Sequence, residues 1–134
     1  MPRSSKQASK PPAKARVKRL VKASSTQPFL RFYHSESLRV KTLAVLDTLE
    51  NAKDSTRCRH ALADIVVELT DSGMDYYFLR PLKLAKAGFF VEQSAKLGMT
   101  ATTAVLGSVI RNIIGNMDNT QLLTICRYIR QLME

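Results

Sequence analysis

The sequence has no tryptophan, two cysteines, two histidines and five glycines in 134 residues. Cys58 and Cys126 are too few for a disulfide framework, and a body of about a hundred residues buries enough surface without one, so a reducing compartment is expected. Cys58 and His60 form a C-x-H pair with no matching second half, which excludes a zinc site of standard spacing. No E-x-x-H motif is present for a di-iron bundle. Neither a metal nor another cofactor is expected.

Long hydrophobic runs are also missing. The longest charge-free stretch, residues 97–110, is broken by three threonines, two glycines and a serine, so no membrane-spanning helix is expected. The N-terminus lacks the apolar core of a secretory leader. Sustained alternation, Asn-Gly or Asp-Gly turns and repeats of 20 to 50 residues are absent, which argues against sheet, barrel and solenoid folds.

Acidic residues are absent from residues 1–28, which hold Arg3, Lys6, Lys10, Lys14, Arg16, Lys18, Arg19 and Lys22 and so carry +8 of the net +10. The remaining residues, 29–134, carry only +2, from 13 basic and 11 acidic side chains. The first segment is rich in Lys, Ser, Pro and Ala and has only Val17, Leu20 and Val21 to bury, so it is expected to be a disordered basic tail. Its acid-free, serine-containing composition also resembles that of a mitochondrial transit peptide, although Pro2, Pro11, Pro12 and Pro28 interrupt a continuous amphipathic helix.

From Phe29 onward the apolar period is helical. Ser35 caps a helix with Leu38, Thr42, Val45, Leu46 and Leu49 on one side. Asp54 or Ser55 opens a second, bearing Cys58, Leu62, Ile65, Val66 and Leu69, and Gly73 is its expected C-cap. Residues 74–97 form one kinked helix or two meeting near Arg80, because Pro81 interrupts the pattern. Gly98 ends that segment and Thr100 caps the next, whose stripe is Leu106, Val109, Ile110, Ile113 and Ile114. Asp118 and Gln121 make a capping box before Leu122, Ile125, Cys126, Ile129 and Leu132. The expected fold is all-α: a compact bundle of about five helices, residues 29–134, behind the basic tail.

Few residues carry chemistry. Cys58 lies between Arg57 and Arg59 near a helix start, which favours a thiolate, yet it falls on the apolar side with no base assigned to it. His60, Asp64, Glu68, Asp71 and Asp75 form an acidic row, read as a solvated face that is also able to dock the tail. Residues 76–86 are denser in aromatic and basic groups than any other part of the body. Tyr76, Tyr77, Arg80, Lys83 and Lys86 are the candidate site for an anionic or apolar ligand, with free backbone N–H groups expected beside Pro81. Phe89, Phe90, Val91, Met99 and the Leu106 stripe are the candidate lining of an apolar cavity.

These features point to binding, with no catalytic residue assigned, since titratable groups occur singly. The expected function is a non-enzymatic binding or regulatory protein. Its helical body associates with a protein partner or with itself, as exposed apolar residues such as Leu132 and Met133 require cover, and its tail contacts nucleic acid non-specifically. The alternative is a small-molecule module using residues 76–86. Peripheral contact of the tail with an anionic membrane is a further partner class, and the expected location is the cytoplasm, including the nucleoid.

Overall fold

The structure, a computed structural model, describes Pro28 and residues 31–133. All regular structure among the described residues is helical. Helix α1 spans Glu36–Asn51, a 3-10 turn covers Ser55–Cys58, and α2 spans Arg59–Met74. A π-helical turn at Asp75–Leu79 continues α2 without a break into α3, Arg80–Leu84; α4 spans Phe89–Gly115 and α5 Asn119–Met133. The all-α expectation holds, but the described residues form four continuous rods where about five were expected. The basic tail, Arg3 to Lys22, lies outside the described residues.

Local signals start α1 and α5 where the sequence places them. The Ser35 hydroxyl accepts the Leu38 N–H at 3.1 Å, satisfying an orphan donor of the first turn. Asp118 and Gln121 exchange side-chain and backbone hydrogen bonds at 2.8 and 2.9 Å, a reciprocal capping box.

Two expected breaks do not occur. Gly73 lies inside α2, and a Cβ there would meet only the Phe32 ring, at an ordinary 3.7 Å. Gly98 lies inside α4, where a Cβ would meet nothing. Thr100 caps no helix start; its hydroxyl donates to the Lys96 carbonyl at 2.8 Å within the helix. The chain turns instead at residues 85–88. Lys86 adopts a left-handed conformation (φ 51°) and Gly88 follows at φ 101°. The Ala87 N–H donates to the Leu82 carbonyl and the Lys86 N–H to the Lys83 carbonyl, which is a Schellman closure with lysine where glycine is usual.

The core is Leu46, Leu49, Leu62, Ala63, Ile65, Ile114, Leu122, Cys126 and Ile129. Polar ties close this end of the bundle. The buried Ser55 hydroxyl donates to the Leu49 carbonyl at 3.0 Å, while its N–H donates to the Asn119 side-chain carbonyl at 3.0 Å. The Arg59 guanidinium donates twice to the Met117 carbonyl, at 2.6 and 2.9 Å. Arg130 of α5 reaches Asp47 at 2.7 Å and Glu50 at 3.0 Å, both on α1.

The continuous α2–α3 rod and α4 form a helical hairpin whose closed end is the turn at residues 85–88. Its open end carries the core, and no residue from 66 to 106 is buried. Because α4 runs through Gly98, it has 27 residues and is the one helix among the described residues long and apolar enough to cross a membrane by length and composition. Gly107 and Ile114 are its buried residues, Arg111 pairs with Asp64 of α2 at 3.1 Å, and most of its apolar stretch is exposed.

Candidate functional site

Tyr76 and Tyr77 sit on the π-helical turn, Arg80 opens α3, Lys83 lies within it and Lys86 is the left-handed residue of the hairpin turn. The π turn follows from Pro81. Proline has no N–H to donate and its ring collides with the carbonyl four residues back, so widening the preceding turn relieves both problems. The Arg80 N–H accordingly donates to the Asp75 carbonyl, five residues back. The expected free N–H groups beside Pro81 therefore do not exist, since the helix passes through proline instead of starting there.

Tyr76 and Tyr77 are consecutive on this turn. The Tyr76 and Tyr77 rings lie 5.5 Å apart, nearly perpendicular. Phe32 packs edge-on to Tyr77 at 6.1 Å and approaches Tyr76 at 6.5 Å, while Tyr33 approaches Tyr76 at 6.0 Å. The Arg80 guanidinium lies over the Tyr76 ring, 5.2 Å from its centre, a cation–π contact. The structure thus joins Tyr76, Tyr77 and Arg80 and adds Phe32 and Tyr33, which come from outside the candidate segment and which no local spacing reveals. Lys83 and Lys86 are exposed, and their side chains form no ion pair among the described residues.

The acidic row is not a free stripe. Glu68 pairs with Lys41 of α1, Asp64 with Arg111 of α4, and Asp71 accepts the Thr103 hydroxyl at 3.2 Å. Three of its five members cross-link helices, while all five are solvent-exposed as expected. Between α2 and α4 lies an open groove of 660 Å³, lined by Val67, Asp71, Thr103, Gly107 and Arg111 among others. The expected apolar lining of Phe89, Phe90 and Val91 is not part of it; those side chains are exposed.

The two cysteines lie in the core or against it. Cys126 is fully buried, and that burial, with Glu50 nearby, pushes its thiol up to about 11. Cys58 is half-buried, packed against the core. Asp54 is held below the usual carboxylate range by hydrogen bonds from the Thr56 hydroxyl and N–H, with Arg57 and Arg59 adding to the effect; these bonds cap the 3-10 turn. No group of three or more His, Cys, Asp or Glu able to hold a metal occurs among the described residues.

The chain matches no family model, and no curated protein or solved structure shows significant similarity to it.

Proposed function

We propose that the chain is a non-enzymatic association protein whose helical body joins a second copy through α4 and whose cationic leader holds nucleic acid by sequence-independent phosphate contacts. The observation carrying this reading is a row on α4: Val105, Val109 and Ile113, at 66, 48 and 52% exposure. At four-residue spacing they form one ridge, well round the helix from the Thr103, Gly107 and Ile114 side that faces α2. A ridge of β-branched side chains interdigitates with the same ridge on a second copy, and a two-fold axis makes one patch serve both partners.

Dimerisation gives the leader its effect. Two leaders of +8 on one polyanion bind with avidity that a single leader lacks. The test combines sedimentation with duplex-DNA titration at two salt concentrations for the full chain, Val109→Glu, and a variant with the eight leader cations changed to Gln. The wild type is expected to be dimeric, with a log–log salt slope approaching about −7 per engaged leader. Val109→Glu is expected to be monomeric and to bind more weakly, and the Gln variant dimeric with the slope lost. A wild type that stays monomeric overturns the body's role, and an unchanged slope in the Gln variant overturns the leader's.

A further inference from the structure

The closed end of the α2–α4 hairpin has a composition that solvent alone does not explain. Leu84 is 76% exposed, Phe89 69% and Phe90 85%, on the two sides of the turn at residues 85–88. Arg80, Lys83 and Lys86 lie in the same short segment, and no acidic residue occurs between Asp75 and Glu92. Glycine would fill the left-handed position of Lys86 with less strain, yet a long cation stands there. We infer that this end is a lipid-contacting tip, which places Leu84, Phe89 and Phe90 in the headgroup–acyl boundary of an anionic bilayer while Arg80, Lys83 and Lys86 meet the headgroups.

Charge decides the occupant. A second copy docking tip to tip would set three cations against three with Glu92, in the first turn of α4, as the one carboxylate nearby, which leaves a net repulsion. Duplex nucleic acid satisfies the cations but leaves all three apolar side chains in water, and a single strand that stacks its bases on Phe89 and Phe90 still leaves Leu84 there. An anionic bilayer answers both, because apolar burial and attraction between basic residues and anionic lipids act together at its surface. The tip carries both an apolar and a basic contribution, with no part of the leader required. The surface is distinct from the Val105–Val109–Ile113 ridge, so it stands or falls independently of dimerisation.

The absence of tryptophan gives a direct readout, because Phe90→Trp in the full chain places the only indole at the tip. Vesicles of phosphatidylcholine with phosphatidylglycerol are expected to shift its emission to the blue, and brominated acyl chains to quench it. Phosphatidylcholine alone is expected to do neither. Lys83→Gln with Lys86→Gln is expected to weaken vesicle binding by roughly thirty-fold at low salt, from about 1 kcal/mol per cation. Leu84→Trp serves as the reporter if Phe90→Trp lowers the melting temperature. Four results overturn the proposal: vesicle sedimentation without quenching at the tip, which is attachment by the leader alone; an emission change with single-stranded oligonucleotide but not lipid; a concentration-dependent shift without lipid, which is self-association; and retention on vesicles through alkaline carbonate, which is a spanning α4.

Discussion

Lys86 occupies a backbone position that glycine takes at less cost, and the Schellman bonds around it show that the position is fixed by the hairpin turn. Lys86→Gly is expected to stabilise the fold by about 1 kcal/mol, a rise of a few degrees in melting temperature, measurable by calorimetry. Cys126 carries a second residue-scale expectation. Its thiol holds its proton up to about 11 in the folded chain, against 9.0 when unperturbed. The folded state therefore binds the proton more tightly, and stability is complete below pH 9 and declines as pH rises through about 11. Denaturant melts across that interval should show a steeper loss for the wild type than for Cys126→Ala. Native alkylation should modify Cys58 first and reach Cys126 only on unfolding.

The π turn decides what the α2–α3 rod looks like. A proline forced into an undistorted helix costs about 3 kcal/mol, so Pro81→Ala would stabilise by that amount if strain remained. The widened turn has already removed it, and the expected gain is below about 1 kcal/mol, with a new protected amide at position 81 in hydrogen exchange. The same elements explain what could be read in advance. Ser35 and the Asp118–Gln121 pair act within four residues of themselves, so α1 and α5 were legible from local chemistry. The break at residues 85–88 was not, because Lys86 is an unusual left-handed residue, while Gly73 and Gly98 are better-known terminators that here sit in ordinary helix. The side of α4 facing α2 includes Thr103 and Gly107, so of the apolar stripe read for this helix only Ile110 and Ile114 meet the core, and Leu106, Val109 and Ile113 are exposed. Tyr76, Tyr77 and Arg80 were found as a segment, but Phe32 and Tyr33 join them only through tertiary folding.

Across the whole molecule, charge and packing are divided unequally. The sequence puts +8 into residues 1–28, whereas several acids of the body are engaged in pairs between helices, Asp47 and Glu50 with Arg130, Asp64 with Arg111, and Glu68 with Lys41. Packing is concentrated at the open end of the hairpin. Amides of Leu62, Ile65, Leu122 and Cys126 are therefore expected to exchange only through global unfolding, and those from residue 75 to residue 97 through local opening at lower free energy. Hydrogen exchange followed by mass spectrometry separates the two classes, and uniform protection along α4 would contradict this division.

Concentrating the packing at one end makes the opposite turn a place where the chain can be lengthened. A peptide epitope grafted between Ala87 and Gly88 would extend into solvent without displacing any core side chain, so the folded state should accept it with little change in melting temperature. The same graft between Cys58 and Arg59 would part the Arg59–Met117 clasp and the Ser55 ties, and should prevent folding.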